Sequence, residues 1–140
     1  VPSTKAPDPY MHVFLDAGQG NVLAFFELPT QPPMGRDPNT PAWVQHIAFR
    51  VKDRAELLAF RAHLEANGVE VLGVTDHGAF HSIYFFDPNG HRLELACPDP
   101  EEATMLKKLD TVKWEMLEEW SRTKRAPKQG AFLHQREFKS

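Results

Sequence analysis

The sequence predicts an α+β protein in which a curled sheet is backed by a helix. Three observations carry this. Residues 44–51 alternate apolar and polar side chains with the period of a strand. Asp53 then opens a segment in which Leu57, Phe60 and Leu64 recur at helical spacing, closed by Asn67-Gly68. Residues 81–97 read as two strands folded about Asp87-Pro88-Asn89-Gly90. With a further strand over Val69–Val74, the order across 44–97 is β-α-β-β-β.

The elements follow in chain order. Tyr10–Leu15 and Val22–Leu28 are predicted strands joined by Gly18-Gln19-Gly20-Asn21. Residues 29–41 hold five prolines, which cannot donate to a sheet ladder, so 29–43 is a linker. In Val44–Val51, Ile47, Phe49 and Val51 point one way and His46, Ala48 and Arg50 the other. Asp53 can accept from the free N–H groups of the helix's first turn, and Glu56 completes a capping-box pattern. Gly68 suits the left-handed cap at its end. His81–Phe86 and Arg92–Cys97 make the hairpin. Pro100 to about Arg125 has the composition of a long helix, with Met105, Leu106, Leu109, Val112, Met116, Leu117 and Trp120 apolar and Trp114/Trp120 a packing stripe. Pro127 and Gly130 stop it. The polar, basic residues 126–140 are expected to be mobile or held by a partner chain. The predicted division is 1–28, 29–43, 44–97 and 98–140.

Composition narrows the function classes. A chain of 140 residues, 41% apolar and 11% aromatic, can bury one core. A net charge of −3 with both signs interspersed excludes a basic nucleic-acid groove. No run approaches the roughly 18 apolar residues of a membrane span, and no signal peptide is visible. The single cysteine, Cys97, excludes an internal disulfide framework and fits a reducing, cytoplasmic setting. It reads as a small buried strand residue.

The chemistry-bearing residues follow from strand parity. Glu94 shares a face with Arg92 and Ala96, and Tyr84 with Ser82 and Phe86. The simplest assembly packs Ile47, Phe49, Ile83, Phe85, Leu93 and Leu95 under Leu57, Phe60 and Leu64. His46, Tyr84 and Glu94 then collect on the far, concave face. His and carboxylate together suit a first-row divalent metal, and two His with one carboxylate leave Fe(II) open positions. His46 and Glu94 supply one of each; the rest must come from Glu27 or from outside the chain. His77 and Tyr84 are placed to move a proton beside such a site. Taken alone, His46 would read as a core histidine, Tyr84 as a sheet aromatic, His77 as a loop residue and Glu27 as a cavity-lining acid. His81 and His91 read as surface or turn residues, and His12, His63 and His134 as structural or solvated.

Residues 44–97, framed by Val44-Gln45-His46-Ile47-Ala48 and Arg92-Leu93-Glu94-Leu95, resemble a module of the vicinal oxygen chelate superfamily, which includes glyoxalase I, extradiol dioxygenases, fosfomycin-resistance enzymes and bleomycin-binding proteins. The resemblance implies paired βαβββ modules forming a curved mixed sheet around a metal, with His46 and Glu94 as ligands. The run Thr75-x-His77, five residues, Ile83-Tyr84, two residues, Asp87-Pro88-x-Gly90, three residues, Glu94 is similar to the extradiol signature. It implies a ring-cleaving enzyme in which Tyr84 hydrogen-bonds a catechol-like substrate, His77 lies nearby, and the metal is Fe(II), with Mn, Ni or Zn as alternatives.

A faint repeat joins Phe26-Glu27-Leu28 to Leu93-Glu94-Leu95, 67 positions on. It marks residues 1–28 as the remnant of a first module. The strand expected to open that module, with its histidine, is absent before Val1, so a longer natural protein is expected. A glyoxalase I-like lyase or epimerase would use Glu27 as ligand or base. A non-catalytic drug-binding protein would use the aromatic groove without metal. The family habit of pairing modules across chains makes a homodimer the expectation.

Overall fold

The computed structural model describes residues 9–133, in two units that divide between Thr40 and Pro41. In the first unit, β1 (Met11–Asp16) and β2 (Val22–Glu27) form an antiparallel pair with Met11 opposite Glu27 and Asp16 opposite Val22. The predicted turn closes it: Asn21 N–H donates to the Gly18 carbonyl (2.9 Å) and Gly18 N–H to the Asp16 carboxylate (2.8 Å). His12 stands edge-on to Phe26, ring centres 3.6 Å apart, with Tyr10 and Phe14 beside it.

The second unit contains the β-α-β-β-β order. It runs β3 (His46–Arg50), α1 (Arg54–Ala66), β4 (Leu72–Asp76), β5 (Phe80–Phe86) and β6 (Arg92–Pro98), followed by α2 (Glu102–Thr123). The sheet order is β3-β6-β5-β4. The β3–β6 pair is parallel and the other two antiparallel, so the sheet is mixed as expected. Asp53 caps α1 by accepting from Glu56 N–H at 2.9 Å, while the Glu56 carboxylate reaches back to Lys52 N–H at 2.6 Å, one residue earlier than in the usual box. At the far end Gly68, at φ +77°, donates to the Glu65 carbonyl and Val69 to that of Leu64, the paired bonds of a Schellman ending. That closure uses Val69, so β4 begins at Leu72 rather than Val69.

The core is Val51, Leu57, Ile83 and Cys97, with Leu64, Val71, Val74 and Leu95 packed against it. Two residues assigned to it by pattern are half exposed: Ile47 at 48% and Phe60 at 43%. Helix α1 lies over β5 and β6, and β3 is the sheet edge, so Ile47 falls outside the helix's cover. Phe60 sits roughly 60° around α1 from Leu57, whereas Leu64 lies within roughly 20° of it.

The C-terminal segment differs from expectation in two ways. Residues Lys128–Leu133 form a 3₁₀ helix rather than a loose tail, with Lys128 N–H donating to the Glu119 carboxylate at 3.1 Å and Lys108 Nζ 4.0 Å from the Phe132 ring centre. The remaining tail, His134 included, lies outside the described residues. Trp114 and Trp120 are exposed rather than packed. The returning segment approaches α2 at Met116, and Trp114 lies about 200° around the helix from it. Arg50 grips Glu102 with two bonds of 2.8 and 3.1 Å, tying β3 to the start of α2. Among the described residues no helix is long and apolar enough to cross a membrane.

Gly73 lies on the edge strand β4, where the pairing with β5 shifts register. Its φ is +101°, and a Cβ there would lie 2.7 Å from the Ser82 carbonyl oxygen and 2.9 Å from Thr75 N. Both obstacles are backbone atoms. Gly73→Ala should therefore destabilise the unit by about 2 kcal/mol, seen as a lower urea midpoint. An unchanged midpoint would show that the strand register relaxes freely around the bulge between Gly73 and Thr75.

Candidate metal and substrate site

Parity and register assemble the site. Tyr84 lies opposite Glu94 across β5–β6, and Ala48 opposite Glu94 across β3–β6. His46, two residues before Ala48, is thus a diagonal neighbour of Glu94 on the same face. His46 Nε2 lies 2.9 Å from Glu94 Oε2, and its Nδ1 lies 3.1 Å from the Val44 carbonyl oxygen. A carbonyl only accepts, so Nδ1 carries the hydrogen of that bond. In the neutral ring Nε2 then presents a lone pair to a carboxylate oxygen. Two such donors aimed at each other are held together by a shared proton or a cation.

Glu94 is 5% exposed and its other oxygen is engaged by the protein. The fully buried Ser82 donates to Oε1 at 2.5 Å, and Tyr84 donates to the same atom at 3.3 Å. Oε1 is thus tethered while Oε2 faces the imidazole. His77 Nε2 lies 2.8 Å from the Tyr84 hydroxyl, extending the line to His77–Tyr84–Glu94. Burial, and next the negative charge of Glu94, raise the Tyr84 phenol above its ordinary pKa. The phenol is therefore a protonated donor at neutral pH.

The structure brings together four of the five residues singled out in the sequence: His46, Glu94, Tyr84 and His77. Glu27 ends β2 in the first unit, on a small cleft with Pro9, Tyr10, Met11 and Pro29. Among the described residues, no three His, Cys, Asp or Glu side chains are grouped to hold a metal; His46 and Glu94 are a pair. The pair nevertheless suits a metal. Its donor atoms converge, Val44 fixes the imidazole tautomer, and Ser82 orients the carboxylate, the kind of support that ligand side chains receive.

Two contributors were visible only as face-sharing neighbours: Ser82, and Arg92, whose guanidinium carbon lies 4.3 Å from the Tyr84 ring centre. His81 is not a surface residue. Strand β5 begins at Phe80 and sets His81 opposite Cys97, with its ring nitrogens 3.8 Å from the Asp76 carboxylate and 3.7 Å from that of Asp99. His91 stays in the exposed turn as read. Cys97 is buried as read, and burial raises its thiol pKa. A cavity of about 310 Å³ opens beside Glu94, lined by Ala48, Arg50, Phe80, Ala96 and Glu102 among others.

The fold is a βαβββ sheet that carries a histidine–carboxylate pair, His46 and Glu94, on one face. The chain belongs to the Glyoxalase/Bleomycin resistance protein/Dioxygenase superfamily, whose family model matches residues 3–95. It is 30% identical over 88 residues to the Bacillus subtilis (strain 168) protein named "Putative ring-cleaving dioxygenase MhqA", a match covering 63% of this chain and 28% of that one. The chain thus spans little more than a quarter of that relative's length. Among solved structures it is similar to the fosfomycin resistance protein FosX of Listeria monocytogenes (33% identity, 42% of this chain and 50% of that one, TM-score 0.36). It is also similar to the glyoxalase I of Leishmania major (24% identity, 76% and 70%, TM-score 0.49). The superfamily consists mostly of enzymes, and its members bind divalent metals and act on small molecules.

Proposed function

We propose that the protein is a divalent-metal enzyme of the ring-cleaving dioxygenase kind, with Fe(II) favoured and a catechol-like substrate. The observation that carries this reading is the hydrogen-bonded line His77–Tyr84–Glu94 ending beside the His46–Glu94 pair. In this reading it would set a proton carrier next to two metal donors, on one face of one sheet. His46 Nε2 and Glu94 Oε2 would hold the cation. Glu27 is the carboxylate proposed for a further position, and a homodimer is the proposed assembly.

A bound metal of this kind supplies Lewis acidity that favours the ionised form of a phenolic hydroxyl, and iron adds redox chemistry with O₂. The protein's own residues handle position and protons. Tyr84 has one hydrogen to give. Turned from Glu94 toward an incoming oxygen, it holds that oxygen by a hydrogen bond. With its hydrogen given away, the phenolate would be reprotonated by His77 in its imidazolium form, whose Nε2 lies 2.8 Å away and which returns to the neutral ring. Ser82 keeps Glu94 in place throughout, because its bond does not depend on Tyr84.

The test is catechol-dependent O₂ uptake by Fe(II)-loaded protein, with ring-opened product followed by absorbance. Tyr84→Phe should lower kcat by about 100-fold and leave metal binding near the wild-type level. A loaded protein that neither consumes O₂ with any catechol nor binds a catecholate would end this reading.

A further inference from the structure

We infer that Arg92 is a substrate-selecting residue: its guanidinium receives an oxyanion substituent on the aromatic ring of the substrate. This rests on the reading above and adds a substrate class to it. Arg92 lies opposite both His46 and Phe86, two positions from Glu94, so it belongs to the same face as the metal donors and the phenol. Its guanidinium carbon is 4.3 Å from the Tyr84 ring centre.

The Nε of Arg92 is buried and has no hydrogen-bond partner, and the side chain makes no ion pair with any described residue. That is an expensive arrangement. An arginine cannot shed its charge at neutral pH, and a buried donor left unmade costs about 1–3 kcal/mol. Other arginines behave differently: Arg50 takes Glu102 with two bonds, and Arg61 takes Glu65 at 2.8 Å. Glu94 does not satisfy Arg92, because its oxygens are directed at Ser82, Tyr84 and His46.

Contact with the Tyr84 ring compensates the charge in part, but a π-face takes none of the planar fork's in-plane hydrogen bonds. Those are the bonds a carboxylate or phosphonate accepts in pairs. A ring-borne oxyanion on Arg92 would place the ring's other substituents toward Tyr84 and the His46–Glu94 pair. A neutral ring would offer the guanidinium no such pair of charged acceptors and bind less well.

The test compares benzoate and phenylphosphonate with neutral benzamide, and 3,4-dihydroxybenzoate with 3,4-dihydroxybenzamide. Each is titrated into Mn(II)-loaded protein and followed by chemical-shift changes or calorimetry. The better anion of the first set should bind at least about 10-fold more tightly than the amide, as one charge-assisted contact gives. The same ratio should hold within the catechol pair. Arg92→Gln should abolish the ratio by weakening the anions while amide affinity stays, and Arg92→Lys should keep part of it. Equal affinity of anion and amide for the wild-type protein overturns the assignment, as does a preference that survives Arg92→Gln in folded protein. Because benzoate and phenylphosphonate carry no hydroxyls, their result stands even where no catechol binds, which would count against the ring-cleaving reading alone.

Discussion

Replacing Glu94 by Gln should weaken Mn(II) or Fe(II) binding by at least about 100-fold while leaving the fold intact. The substitution keeps the side chain's shape, and the amide oxygen still accepts from Ser82 and Tyr84 at the place of Oε1. The amide nitrogen then donates to His46 Nε2, with the Nδ1 bond to Val44 retained. Every polar atom of this nearly buried residue keeps a partner, so unfolding free energy should change by less than about 1 kcal/mol. Only the anionic electron-pair donor is lost. Ser82→Ala offers a graded companion. It leaves the carboxylate but frees Oε1 from its shortest bond, and should cost about 10–100-fold in metal affinity. Calorimetric Mn(II) titrations alongside thermal melts separate these effects. Wild-type affinity in the Glu94→Gln protein would remove residue 94 from the ligand set and the metal-based reading with it.

The reason this site could be anticipated is that strand parity is a rigid rule. His46, Tyr84 and Glu94 are fixed to one face once the three strands are recognised, whatever the details of packing. The hairpin turn at Asp87–Gly90 and the helix caps at Asp53 and Gly68 depend on bonds made within a few residues. Such bonds leave a local imprint in the sequence. What parity does not reveal is how far a neighbouring element extends. Ile47 and Phe60 have the right period and the wrong neighbours: α1 lies over β5 and β6 rather than β3, and Phe60 sits roughly 60° around α1 from Leu57. His81 lacks any local mark of burial; the carboxylates of Asp76 and Asp99 reach it from 5 and 18 positions away. The contribution of Ser82 was hidden for a similar reason. A buried serine on a strand is unremarkable until the carboxylate it serves, 12 positions on, is seen as its diagonal neighbour on β6.

Leu57→Ala should destabilise the second unit by about 3 kcal/mol, whereas Phe60→Ala on the same helix should cost less than about 1 kcal/mol. Both residues belong to the apolar stripe that the sequence marks on α1, and the aromatic side chain is the larger. Size alone would rank Phe60 first. Burial reverses the order: Leu57 is 0% exposed and sits with Ile83 in the core, while Phe60 keeps 43% of its surface in water. Truncating Leu57 loses the transfer free energy of its methyl groups and leaves a cavity that a close-packed core fills poorly. Truncating Phe60 opens no enclosed space. Urea unfolding with a common slope measures both, and a larger loss at Phe60 would mean that the helix is seated differently on the sheet. The site should feel the two substitutions unequally as well. Ile83 lies on β5 between Ser82 and Tyr84, whose side chains occupy the opposite face. Support lost beneath Ile83 therefore loosens the strand that holds the Glu94 hydrogen bonds. Leu57→Ala should lower Mn(II) affinity, and saturating Mn(II) should raise its melting temperature, since a ligand bound only by the folded state stabilises it in proportion to RT ln(1 + [L]/Kd).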